Sequence, residues 1–193
     1  MVTPASTASA PPAAAPLAKA RRTFRTIAVA PSGTIGFNCR VAETRGMRYL
    51  RQQRVPFDVH TYEHVAKGAE FAAQALGLPL ERFAKTLVVE AGGDPVFVLM
   101  PGHRELSLKK LARAAGAKQA LLADPRDAER LTGYLVGGIS PFGARRKLPS
   151  FLEASLLDHE RIAINAGQRG VILELASADV ARLLDAAAVD LTA

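Results

Sequence analysis

The stretch from Leu87 to Met100 constrains the fold more than any other part of this chain. Leu87 to Ala91 is an apolar run, Gly92-Gly93-Asp94 is a turn, and Val96 to Met100 is a second apolar run. Two such runs around a glycine-rich turn form a hairpin or two neighbouring central strands. A sheet is therefore required, and the flanking segments must supply its other strands and the helices that cover it.

Those segments have legible punctuation. Thr44 to Gln53 reads as a surface helix with Met47 and Leu50 inward, stopped by Val55-Pro56. Phe57, Val59 and Thr61 alternate with polar residues as in a half-buried strand. Ala69 to Leu76 reads as a helix capped by Gly77, and Leu106 to Ala115 as another, closed by Gly116. Asp124-Pro125 with Asp127 is a helix start: a capping acid, proline at the first helical position and a second acid in the first turn. Arg161 to Asn165 and Val171 to Leu175 read as strands around a Gly167/Gly170 turn, and Ser177 as the cap of a last helix. This mixture predicts an α+β (α/β) fold with a mixed sheet rather than a regular βαβ winding. No Gly-x-Gly-x-x-Gly follows a strand and no Gly-x-x-x-x-Gly-Lys-Ser/Thr occurs, which sets aside dinucleotide and P-loop chemistry.

Charge divides the chain. Its formal net charge is +7, yet residues 1–42 hold Lys19, Arg21, Arg22, Arg25 and Arg40 and no acid, leaving 20 basic and 18 acidic residues for 43–193. Residues 1–42 read as a disordered or linker-like basic extension, because the first 20 are rich in Ala, Pro, Ser and Thr and hold too few large apolar residues for their burial to offset ordering entropy. Residues 43–193 read as the single working domain. No apolar run approaches the roughly 18 to 20 residues of a spanning helix, so no membrane association is expected. Cys39 is the only cysteine, which excludes an intrachain disulfide and makes a reducing cytoplasm the expected compartment.

Few residues offer chemistry. His60 and His64 sit four apart, but on a strand that spacing does not bring them together, and no glutamate makes them a His-Glu-x-x-His pair. No metal and no cofactor is expected. Gly138-Ile139-Ser140-Pro141-Phe142 lacks the last glycine of a serine-hydrolase elbow. Lys85 opens the run Lys85-Thr86-Leu87-Val88-Val89 and shares a strand face with Leu87 and Val89. Its ammonium either reaches solvent at the strand's end or serves an anionic or carbonyl-bearing ligand. Thr132 to Gly143 holds four glycines and Pro141 among Tyr, Leu, Val, Ile and Phe, a composition suited to a buried loop whose bare N–H groups meet an oxyanion or phosphate. Arg145-Arg146-Lys147 follows, placed to hold a phosphate backbone beside the pocket.

With these residues in view, the chain from about Glu43 to Leu191 resembles the YbaK/EbsC family of trans-editing aminoacyl-tRNA deacylases. The resemblance is carried by Val55-Pro56-Phe57, His60-Thr61-Tyr62-Glu63-His64, Lys85 to Val89, Leu108-Lys109-Lys110-Leu111, Ala123-Asp124-Pro125 and, most specifically, Thr132 to Pro141. It implies the six- or seven-stranded, mixed, barrel-like sheet of the prolyl-tRNA synthetase editing domain. It also implies hydrolysis of the ester joining a mischarged amino acid to tRNA, typically cysteine on the proline tRNA, Cys-tRNA(Pro). Lys85, with Gly137 and Gly138, is then the catalytic group. Tyr62, Ser140, Pro141 and Glu174 are expected to bind substrate, and Arg145, Arg146 and Lys147 to bind tRNA.

The partners implied are aminoacyl-tRNA and prolyl-tRNA synthetase in a ternary complex, with the protein a monomer or weak homodimer. Gly170-Val171-Ile172-Leu173-Glu174-Leu175 departs from the family's Gly-Leu-Asp-Ile-Glu-Leu, placing Ile172 where an acid usually stands and leaving Glu174 to compensate. Two other readings stay open: a non-catalytic tRNA- or synthetase-binding module, and a deacylase for another small amino acid such as alanine.

Overall fold

The computed structural model describes residues 26–29, 42–64 and 68–193. The strands are β1 (Thr26–Val29), β2 (Phe57–Thr61), β3 (Phe83–Ala91), β4 (Asp94–Pro101), β5 (Ala120–Leu122), β6 (Ser150–Glu153), β7 (Arg161–Asn165), β8 (Val171–Ala176) and β9 (Ala187–Val189). The helices are α1 (Arg45–Gln52), α2 (Ala69–Leu76), α3 (Leu108–Ala114), α4 (Pro125–Thr132) and α5 (Ser177–Leu184). The strands form one mixed sheet in the order β1-β2-β8-β7-β3-β4-β6-β9, with β5 also on β3. The resemblance implies six or seven strands; the short β1, β5 and β9 account for the nine found among the described residues.

β1 pairs antiparallel with β2, so one strand of the sheet lies before Glu43, inside the stretch read as extension. The rest of that stretch is outside the described residues.

The hairpin that anchors the sheet is β3–β4, paired from Ala84↔Pro101 to Ala91↔Asp94. β4 is buried on both faces. Phe97 and Leu99 enter one core with Phe57, Leu152 and Ile164, while Val96, Val98 and Met100 enter a second with Leu111 and Leu191. This double burial is why its sequence is continuously apolar rather than alternating. Each such side chain contributes roughly 1.5–3 kcal/mol of transfer free energy, which makes β4 the least replaceable strand.

Helix boundaries follow their caps. Thr44 Oγ1 accepts from the Met47 N–H at 3.2 Å, and Asp124 Oδ1 from the Arg126 N–H at 2.8 Å. Gly77 and Gly133 end α2 and α4 in left-handed geometry, at φ 67° and 69°. α3 begins at Leu108, two residues later than the pattern predicts, because Ser107 is the capping residue. Ser177, predicted as a cap, is instead the first residue of α5, and its hydroxyl donates to the His159 carbonyl at 2.5 Å.

One irregularity of the sheet positions the site. On the edge of β3 opposite β4, β7 pairs only with Phe83 and Ala84, and β5 only from Val89 to Ala91. The Val88 carbonyl on that edge accepts from the Ala123 N–H at 3.1 Å. Strand alternation points the backbone groups of Thr86 to the same side, where neither strand reaches. The gap between β7 and β5 opens into a cavity.

Candidate active site

The cavity has a volume of about 380 Å³. β3 supplies its floor through Ala84, Thr86 and Val88, the end of β2 supplies Tyr62, and the glycine loop after α4 supplies Val136 and Gly137. Lys85, Tyr62 and Gly137, separated in sequence by up to 75 positions, all line it.

Lys85 sits in a partly desolvated position, with Leu87 packed on the second core as strand alternation requires. Its Nζ donates to the Arg104 carbonyl at 2.5 Å and to the Gly102 carbonyl at 3.4 Å. An ammonium has three donors, so one is left for a ligand. Burial lowers the Lys85 pKa from its ordinary value, and the nearby charges of Glu105 and Glu70 pull it back only in part. Burial likewise raises the pKa of Tyr62, opposed by the Gly170 backbone. The Tyr62 hydroxyl lies 3.4 Å from His64 Nδ1.

The loop is narrower as a donor site than its composition suggests. The Gly138 N–H donates to the Leu135 carbonyl at 2.8 Å and closes a turn. Of the two backbone donors expected, the Gly137 N–H therefore remains. Gly137 holds φ at 86°, in the left-handed region that favours glycine. α1 buttresses the loop from below: Arg45 donates to the Gly133 carbonyl at 2.6 Å and lies 4.3 Å over the Tyr134 ring, whose hydroxyl donates to the Phe142 carbonyl at 2.7 Å. Gly46 allows this approach, since a Cβ there would fall 2.6 Å from the Ala166 carbonyl oxygen.

Other predicted residues lie elsewhere. Ser140 is fully buried and its Oγ accepts from the Phe142 N–H at 3.3 Å, so it shapes the loop from within. Pro141, Arg146 and Lys147 line a second, smaller cavity of about 160 Å³ with Tyr49 and Leu183. Arg145 folds over Gly133, where a Cβ would meet its side chain. Arg146 and Lys147 thus border the second cavity, and none of the three basic residues lines the first.

Glu174 is also committed away from the cavity. It pairs with Arg82, accepts from the His60 Nε2–H at 2.9 Å, and lies 3.7 Å from Arg161, which also pairs with Asp58 at 2.6 Å. Glu174 is not among the residues that line the cavity. Ile172, two residues earlier on the same face, is 1% exposed, lines the cavity and packs with Phe83 and Ala163.

Three lining or bordering residues were not singled out from sequence. Thr86 brings a buried hydroxyl with no hydrogen-bond partner among the described residues. Asn165 lines the cavity and donates to the Gly137 carbonyl at 3.3 Å. Arg169 holds the Val136 carbonyl. Only Thr86 had a sequence signal, its place beside Lys85 on the strand. Among the described residues no group of three or more His, Cys, Asp or Glu side chains could hold a metal, and no helix is long and apolar enough to cross a membrane.

Fold and cavity together define a small mixed-sheet domain with one cavity lined by both the Lys85 ammonium-bearing side chain and Gly137 of the glycine loop. The chain belongs to the aminoacyl-tRNA editing domain family, whose family model matches residues 63–183. It is 37% identical over 139 residues to EbsC of Enterococcus faecalis, provisionally named a Cys-tRNA(Pro)/Cys-tRNA(Cys) deacylase, covering 69% of this chain and 84% of that one. It is 31% identical over 148 residues to the multifunctional Ser/Thr-tRNA deacylase ProXp-y of Escherichia coli K12, covering 74% and 88%. A crystal structure provisionally described as a trans-editing enzyme for prolyl tRNA synthetase superposes with a TM-score of 0.67 at 26% identity, covering 77% of this chain and 90% of that one.

Proposed function

We propose that this protein is a trans-editing deacylase that hydrolyses the ester between a mischarged amino acid and its tRNA, with Cys-tRNA(Pro) as the leading substrate. The observation that carries this reading is the meeting of Lys85 and Gly137 in a cavity large enough for an aminoacyl group and too small for the nucleic acid. The tRNA body then stays outside, and the ester lies across the cavity mouth.

In this mechanism the Lys85 ammonium and the Gly137 N–H stabilise negative charge that develops on the ester oxygen, an interaction stronger in the transition state than in the ground state. Water, or the thiol of a cysteinyl substrate, adds to the carbonyl carbon. The bond from that carbon to the ribose oxygen breaks, and the ribose oxygen takes the proton that the attacking water or thiol gives up. Tyr62 and Thr86 bound the amino-acid side chain. Ile172 keeps that wall apolar, which favours small, weakly polar side chains.

Arg146 and Lys147, bordering the neighbouring cavity, and Arg145 beside Gly133 hold tRNA phosphates in this reading, and prolyl-tRNA synthetase supplies the substrate in a ternary complex. A cytoplasmic monomer or weak homodimer, whose catalytic domain takes β1 from the stretch before Glu43, completes the proposal.

The test is to incubate the protein with cysteinyl-, alanyl-, seryl- and threonyl-tRNA and follow ester loss. Cysteinyl-tRNA(Pro) is expected to be cleaved fastest. Faster loss of alanine or serine would move the specificity, and no loss above the uncatalysed rate would leave a binding module.

The lowered Lys85 pKa sets a pH dependence. The ammonium is the active form, so the enzyme-dependent rate should fall on the alkaline side, beginning below the pH at which an ordinary lysine titrates. A Lys85→Arg variant keeps its charge over this range and should lose that alkaline limb, whatever its absolute rate. A parent profile without the limb, after subtraction of base-catalysed ester hydrolysis, would contradict the assignment.

A further inference from the structure

We infer that Arg169 is a positioning residue of this site, whose guanidinium orients and polarises the Val136–Gly137 peptide so that the Gly137 N–H faces the substrate carbonyl; this rests on the deacylase reading above. Arg169 lies in the turn between β7 and β8, 33 residues from its partner. Its Nε and Nη2 donate to the Val136 carbonyl at 3.0 and 2.6 Å. Among the described residues it makes no ion pair. Its polar contacts there go to one carbonyl.

That carbonyl belongs to the peptide whose N–H is the candidate oxyanion donor. No peptide bond is cis among the described residues, and in a trans peptide C=O and N–H point in opposite directions. Holding the Val136 oxygen toward Arg169 therefore turns the Gly137 N–H away from Arg169.

The neighbouring groups are pinned as well. The Val136 N–H donates to Glu129 Oε1 at 2.9 Å, the Gly137 carbonyl accepts from Asn165 at 3.3 Å, and the Gly138 N–H donates to the Leu135 carbonyl at 2.8 Å. From Val136 to Gly138, the Gly137 N–H is the one backbone donor without a partner among the described residues. Two bonds from a guanidinium to the carbonyl of the same peptide also strengthen its N–H as a donor, since hydrogen bonds in a chain polarise one another by roughly 10–30% each. Arg169 thus acts on catalysis through Gly137 without touching substrate.

The experiment measures kcat and KM for cysteinyl-tRNA(Pro) deacylation in the parent, Arg169→Ala, Arg169→Lys, Gly137→Ala and the Arg169→Ala/Gly137→Ala double variant, with circular-dichroism melts for each. Loss of one oxyanion donor costs about 10²–10³ in kcat. Because Gly137 itself remains, Arg169→Ala is expected to lose roughly 10- to 100-fold in kcat, with KM within about twofold of the parent. Arg169→Lys, which keeps a charged donor, should recover part of the loss. The double variant should be little worse than Gly137→Ala alone, because both changes act on the same donor.

A raised KM at unchanged kcat would make Arg169 a phosphate-binding residue and overturn the inference, as would parental kinetics in Arg169→Ala. Full additivity in the double variant would also overturn it. If Arg169→Ala melts at a much lower temperature, Arg169→Lys at parental stability decides by the same split. A parent that cleaves none of the aminoacyl-tRNAs would remove the deacylase reading and this inference with it, whereas an active parent with indifferent Arg169 variants removes only the inference.

Discussion

A Lys85→Ala variant is expected to lose about 10²–10³-fold in kcat for deacylation, the loss that follows removal of one preorganised charge-stabilising donor. The size follows from how little else the cavity offers. Besides the Lys85 ammonium, the predicted carbonyl-binding group left free is the Gly137 N–H, and Glu174 is held by His60, Arg82 and Arg161. The fold should survive. Among the described residues Lys85 bonds only to the carbonyls of Gly102 and Arg104, which follow β4 and can be hydrated when the side chain is cut back. Burial already disfavours its charged form, so the melting temperature should stay level or rise slightly. Deacylation at the parental rate by a folded Lys85→Ala protein would end the proposed mechanism.

Among the predicted site residues, the largest stability effect is expected at Glu174. Its carboxylate is 13% exposed and meets three cationic or cation-forming side chains, Arg82, His60 and Arg161. Breaking a buried ion pair by removing one partner costs about 3–5 kcal/mol. Arg82 and Arg161 are each about one-third exposed, and solvent compensates part of that, so Glu174→Ala should cost roughly 2–3 kcal/mol. Glu174→Gln, which keeps an acceptor, should cost less.

Chemical denaturation checks both values. Assayed well below its melting temperature, Glu174→Ala should bind and cleave cysteinyl-tRNA with parental KM. A higher KM with unchanged stability would return Glu174 to the substrate, where its place two residues after Ile172 first suggested it.

The difference between these two residues shows what kind of information the chain carries locally. Both Lys85 and Glu174 are charged residues in apolar strands, and sequence pattern treats them alike. Lys85 ends at a gap in the sheet because β7 stops pairing at Ala84 and β5 begins at Val89. Glu174 finds no such gap, because β2 and β7 pair with β8 on either side, opposite Asp58 and Ala163. Strand alternation gives the face of each side chain but says nothing of which strand lies next to it.

The same limit explains the basic run. Arg145, Arg146 and Lys147 follow the glycine loop within a few residues, yet the loop turns between Gly137 and Pro141, so its two ends face different cavities.

The resemblance to the editing family implied that Lys85, Tyr62 and Gly137 share a site, while the residue pattern by itself determined the β3–β4 hairpin, the helix ends at Thr44, Gly77 and Asp124, and the mixed sheet. These rest on side-chain period, capping chemistry and glycine conformation, all properties of a few consecutive residues. Tertiary structure alone decided the short strands β5, β6 and β9, the loss of Gly138 as a donor, the ion-pair cluster around Glu174, and the grip of Asn165 and Arg169 on the loop at separations of 28 and 33 residues. Each depends on which groups meet across the fold, and a hydrogen bond or ion pair between distant segments leaves no period in the sequence.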